Sequence, residues 1–169
     1  MAGIKTFDDL FLHTLKDIYY AERQILKALQ KMAKAAEDEA LRDSFKLHRE
    51  QTQGQIERLQ QVFEALGKRA QGVTCEAING LIEEAEELIE QAPEPSPVRD
   101  AGLIASAQAV EHYEMARYGT LIAWAQQSGK QEIVTLLQET LDEEKQTDAL
   151  LTQMATEQGK NRQAAEKAA

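Results

Sequence analysis

Apolar residues recur at alternating steps of four and three along most of this chain, the period of helices that each bury one face. The first stripe is Phe11, Leu15, Ile18, Glu22, Ile25, Leu29, Met32 and Ala36, which predicts a long helix from about Thr6 to Ala36. Thr6 is placed to cap it, with Asp8 and Asp9 in the first turn, where negative charge is favoured. A second stripe, Leu41, Phe45, His48, Thr52, Gln55/Ile56, Leu59, Phe63 and Leu66, follows a cap at Asp38 and stops at Gly67. Thr74 opens a shorter amphipathic segment that runs into the breaker Pro93-Glu94-Pro95-Ser96-Pro97. The third long stripe is Ile104, Ala107, Glu111, Glu114, Tyr118, Leu121/Ile122 and Ala125, closed by Ser128-Gly129. The fourth begins near Lys130 and carries Ile133, Leu137, Leu141, Glu144, Asp148, Leu151 and Ala155.

Connection lengths choose among bundle topologies. The first and second long helices are joined by a few residues, as are the third and fourth, so each pair must fold back as antiparallel neighbours. The second and third are separated by about 30 residues that include a short helix, enough to travel back along a bundle of rods about 40 to 45 Å long. An up-down-up-down bundle has no need of such a segment, whereas a ferritin-like bundle does. The expectation is therefore all-α: a ferritin-like four-helix bundle over residues 1–158, with a long second-to-third crossover carrying an extra short helix. Residues 159–169, polar and Ala-rich, are expected to form a disordered tail.

The stripes are not purely apolar, and this changes the picture from architecture to chemistry. Glu22 lies near the centre of the first stripe, His48 and Thr52 on the second, Glu111 and Glu114 astride the third, and Glu144 at the centre of the fourth with Asp148 one turn on. Counted along the helices, all fall at one level of the bundle. Carboxylates buried together without compensation repel and are costly to desolvate. Arg49, Arg58 and Lys145 sit at flank or outer angles, so a pair of divalent cations is the simplest counter-charge. Oxygen-rich ligation with one imidazole suits iron, with manganese as the alternative, better than zinc or copper. The expected metal ligands are Glu22, His48, Glu111, Glu114, Glu144 and Asp148. On the second helix, Gln51 and Thr52 compete with His48 for that role. Thr52 can instead bond back to the preceding turn, and Tyr118 can be a core residue with a satisfied hydroxyl. His13 and His112 point away from the stripes and are expected at the surface.

The chain has 169 residues with 19 Lys+Arg against 29 Asp+Glu, a net charge of −10. That sign opposes binding to nucleic acid or an anionic membrane. Cys75 is the lone cysteine, which excludes an intrachain disulfide and a cysteine-built zinc or iron–sulfur site. No apolar run is long enough to span a bilayer and no signal peptide is visible, so a cytoplasmic protein is expected.

The phrases LKDIYYAERQILKAL, AQAVEHYEMARYGTLIAWA and LLQETLDEEKQTDALLT resemble those of the YciF/YciE family of bacterial stress-associated proteins, from about Phe7 to Thr156. The resemblance implies a ferritin-like fold, a cytoplasmic homodimer and a dinuclear metal site. More distantly, Glu111-x-x-Glu114 resembles the paired glutamates of rubrerythrin-type sites, with Glu22 and Glu144 matching the glutamates of their first and fourth helices. The superfamily's Glu-x-x-His is missing: the fourth helix has Thr147 and Asp148 where histidine is expected. The function expected is an iron-dependent reaction with dioxygen or peroxide under stress, drawing electrons from an external donor. Two alternatives are a stress-induced structural dimer with a structural metal, and a manganese catalase-like activity.

Overall fold

Thr6 accepts a hydrogen bond from the Asp9 amide (3.1 Å) while the Asp9 carboxylate accepts from the Thr6 amide (2.9 Å), a reciprocal cap that starts the first helix as expected. The computed structural model describes residues 3–92 and 94–167. Its elements are α1 (Phe7–Ala35), α2 (Glu39–Ala65), α3 (Glu76–Gln91), α4 (Pro97–Gln127), α5 (Gln131–Thr156) and α6 (Lys160–Lys167). No strand occurs among the described residues. Asp38 and Ser96 cap α2 and α4 with their side chains, and Pro97 pre-sets the first turn of α4. α2 and α4 end at Gly67 (φ 64°) and Gly129 (φ 68°), left-handed positions that glycine occupies without strain.

Contacts between the helix ends fix their directions. The Asp100 carboxylate near the start of α4 accepts from the amides of Glu37 and Asp38, both at 2.8 Å, in the α1–α2 turn. At the opposite end, Phe7 stacks edge-on against Trp124, with centroids 5.6 Å apart, and Lys130 lies 3.3 Å from Asp8. α1 and α5 therefore run one way, α2 and α4 the other. Because α2 and α4 are parallel, the chain must return the length of the bundle between them. α3 makes that return alongside α1, with Tyr20 bonded to Asn79 and Lys31 paired with Glu86. It packs against α1 and α4, while α2 and α5 form the opposite wall. This is the ferritin-like bundle with one long crossover that the connection lengths predict.

Side chains such as Leu15, Ile18, Leu41, Phe63, Leu103 and Leu137 are buried between the four long helices. Each large apolar side chain removed from water contributes about 1.5–3 kcal/mol. Two local expectations are corrected. The cap of α3 is Cys75 rather than Thr74, its Sγ accepting from the Ile78 amide at 3.5 Å. Residues 160–167 form a helix rather than a disordered tail: α6 packs on α4 and α5, and the Lys160 ammonium pairs with Asp38, the cap of α2. An amine docked on a cap carboxylate gives this polar segment an anchor that hydrophobic periodicity does not register. Pro93 of the expected breaker and residues 168–169 of the expected tail lie outside the described residues.

Candidate metal centre

Four rods whose apolar stripes face one axis must also direct there any polar residue on the same stripe. Glu22 of α1, His48 and Thr52 of α2, Glu111 and Glu114 of α4 and Glu144 of α5 are all buried, the four glutamates completely. His48, Glu111, Glu114 and Glu144 each offer a ligand atom within 4.8 Å of one another. The imidazole sits between two of the acids: Nδ1 is 3.2 Å from Glu111 Oε1 and Nε2 is 3.6 Å from Glu144 Oε2. Glu22 joins from the α1 side, accepting the Tyr118 hydroxyl on Oε1. Both oxygens of Glu111, Glu114 and Glu144, the second oxygen of Glu22 and both His48 nitrogens have no hydrogen-bond partner.

Such a set of orphaned acceptors is costly in a dry interior, and its protonation reflects that cost. Burial, reinforced by the Glu144 charge, pushes Glu22 well above the usual carboxylate range. Glu114 is raised by burial and by the charges of Glu144, Glu22 and Glu111. Glu111 is raised by burial and by Glu144. Burial also acts on Glu144, but the polar groups of adjacent His48 and Glu111 outweigh it and hold this carboxyl below its ordinary value. Burial and the Glu22 charge keep the Tyr118 phenol protonated, so it serves Glu22 as a donor. Three acids thus favour the neutral form and one the ionised form when no cation is bound. The donor set fits a hard or intermediate divalent cation: carboxylate oxygens with one imidazole, in a volume from which lysine and arginine ammonium and guanidinium groups are absent among the described contacts.

Asp148 does not join this group. Its Oδ1 accepts from Gln108 Nε2 at 3.1 Å and lies 3.2 Å from His112 Nε2, at the rim between α4 and α5. About 40° of helical rotation separates it from Glu144, and its short side chain is captured by donors on α4 before it can reach the axis. His112 and His13 are exposed, as expected. Thr52 donates back to the His48 carbonyl at 2.9 Å, and Gln51 is only half-buried, so His48 is the α2 residue brought to the cluster.

Arg58 is half-buried at the flank, as expected, and is tied there to α5. Its Nε donates to Thr140 Oγ1 at 2.9 Å, its terminal nitrogens pair with Glu139 and Glu143, and its charge opposes the upward shift of Glu22. Buried Gln55 donates to Glu143 Oε2 at 3.0 Å and also favours the ionised form of Glu144. The α2–α5 wall therefore supports the cluster through residues that helical-wheel angles leave at its margin. The sequence signal available for them was the Arg58/Glu139/Glu143 charge pattern on facing helices, which has meaning only once α2 and α5 are known to be neighbours.

Comparison with known proteins places this arrangement among relatives. Residues 6–165 match a family described as "Domain of unknown function (DUF892)". Over 154 residues the chain is 50% identical to Protein YciF of Escherichia coli (strain K12), covering 90% of this chain and 92% of that one. The crystal structure of the E. coli stress protein YciF superposes with a TM-score of 0.88 at 48% identity, over 94% of this chain and 99% of that one. YcfI from Rhodopseudomonas palustris, described as a candidate structural protein, gives a TM-score of 0.85 at 53% identity, over 88% and 94% of the two chains. A protein of Xanthomonas campestris shares the fold alone, with a TM-score of 0.69 at 20% identity over 88% of this chain and 90% of that one.

Proposed function

We propose a function for this chain from the premise of its ancestry: it belongs to the DUF892 family and is a YciF-like protein with a ferritin-like fold. The reading best supported is a dinuclear metal protein that holds two iron ions and reacts with dioxygen or peroxide. The observation that carries it is the ring of buried, unpartnered carboxylate oxygens around His48. Four carboxylates bear four negative charges, which two divalent cations neutralise. One cation would leave two of the acids to be neutralised by protons instead. Glu22, Glu111, Glu114, Glu144 and His48 would hold the pair.

Iron bound there would supply the electrons and open coordination needed to reduce dioxygen or peroxide. The chain's own residues set the conditions. Tyr118 orients Glu22 through its hydroxyl, and the buried faces of α1, α2, α4 and α5 exclude bulk water. Arg58 and Gln55 fix the α2–α5 wall behind Glu144. The external electron donor, the homodimer and a cytoplasmic, stress-related setting belong to this proposal. E. coli YciF is itself described as a stress protein, and no described helix here is long and apolar enough to cross a membrane.

The test is an anaerobic Fe(II) titration of chelator-treated protein, followed by oxygen or peroxide. Two irons per chain, and a carboxylate-ligated ferric absorption band that bleaches on re-reduction and returns on re-oxidation, are expected. A protein that takes up no metal overturns the reading. The description of the R. palustris relative favours a second reading, in which the metal only neutralises the buried acids. Metal would then raise thermal stability with no reaction on adding oxidant. Metal analysis of protein purified without added metal separates iron from manganese.

A further inference from the structure

On the side where α3 crosses α1 and α4, a pocket leads from the surface to the candidate metal centre. Its lining includes Ile25 of α1, Leu81 and Ala85 of α3 and Ala107 of α4, together with the deeply buried His48 of α2 and Glu111 of α4. The void measures about 350 Å³ counting its open mouth, but only about 20 Å³ of it can be occupied by the centre of a water-sized molecule. That suffices for one very small molecule and excludes an organic ring or chain. Apart from His48, Glu111 and the Ser106 hydroxyl, the lining consists of aliphatic side chains and one methionine. A water, a peroxide or a hydrated ion would lose its partners on the way in, whereas an apolar diatomic gas has none to lose.

We propose that this pocket is the access and holding site through which dioxygen, rather than peroxide or a metal ion, reaches the cluster. The proposal rests on the metal-centre reading above and narrows its substrate to a small apolar gas. The pocket shares two lining residues, His48 and Glu111, with the set that would hold the metals, so a gas lodged in it lies beside the centre. α3 closes one wall, which gives the crossover helix a role in the site as well as in the topology. Side chains that enlarge Ala85 or Ala107 would fill the pocket from different helices while leaving every proposed ligand residue in place.

Crystals pressurised with xenon test the pocket directly, and anaerobic stopped-flow addition of nitric oxide to the ferrous protein tests delivery without relying on oxidase turnover. Xenon is expected in the pocket of the unaltered protein and absent from Ala85→Met and Ala107→Leu. In both variants nitric oxide binding should slow by on the order of tenfold, as access becomes limiting, with anaerobic Fe(II) stoichiometry unchanged. Ala85, on the short crossover helix, keeps the test available if the Ala107 change unsettles the bundle. No xenon in the pocket, or unslowed nitric oxide binding with the pocket filled, overturns the proposal while leaving the metal centre standing. A protein that binds no Fe(II) overturns both, and the xenon map then still reports whether the pocket takes up apolar gas.

Discussion

Glu144 and Asp148 stand one turn apart on α5, yet the first faces three other acids at the bundle axis and the second is tied to Gln108 and His112 at the rim. Substitutions should separate them. Asp148→Asn is expected to leave two metals per chain, whereas Glu144→Gln should lose at least one, as read by anaerobic titration with elemental analysis. The protonation pattern has its own consequence for stability. Glu22, Glu111 and Glu114 have folded-state values raised above the ordinary 4.5, burial being the leading cause. Above that pH the unfolded chain has released protons that the folded chain still holds, so stability must fall as pH rises towards the folded values. Metal-free protein is thus expected to show a rising Tm as pH is lowered from 8 towards 5, followed by scanning calorimetry in chelator. Metal-loaded protein should not show this gain, and its metal affinity should increase with pH because binding displaces those protons.

At the level of the helices, α6 is held by an ion pair between one element and the cap of another. Lys160 and Asp38 are both largely shielded, with side-chain exposures of 11% and 27%, and Asp38 also accepts from the Leu41 amide that starts α2. Burial opposes ionisation of Asp38, but Lys160 and the cap hydrogen bonds hold its carboxyl below the usual range. Lys160→Ala is expected to cost about 1–2 kcal/mol, the scale of a charged hydrogen bond, measured as a lower urea midpoint. The crossover is pinned elsewhere. Val73 donates to the Lys16 carbonyl at 3.2 Å, and a side chain at Gly72 would meet the Tyr20 Cβ at 3.0 Å and its Cα at 3.2 Å. That close approach holds the start of the return segment against α1.

For the whole molecule, metal bound at the cluster would tie stability to metal content. A ligand that binds only the folded state adds about 4 kcal/mol at a thousandfold excess over its Kd, so chelation should lower Tm substantially and Fe(II) should restore it. Sedimentation at equilibrium is expected to return twice the 18.9 kDa chain mass, as the family resemblance implies. A monomer would remove the dimer from the proposal without affecting the intrachain cluster.

The lengths and faces of the four long helices, the crossover and the burial of five of the six candidate site residues were legible along the chain. Helical period places Glu22, His48, Glu111, Glu114 and Glu144 on stripes that cannot face water without exposing apolar neighbours. Positions at the edge of a stripe carry no such compulsion. Whether Asp148 turns in or out, whether Arg58 folds back towards Thr140, and whether Lys160 anchors a terminal helix depend on donors and acceptors supplied by other elements. The pocket arises in the same way, from four helices that meet around small side chains. Periodicity is a property of one helix and can be read locally. The partners of a flank residue, and the gaps between rods, exist only after packing has brought distant segments into contact.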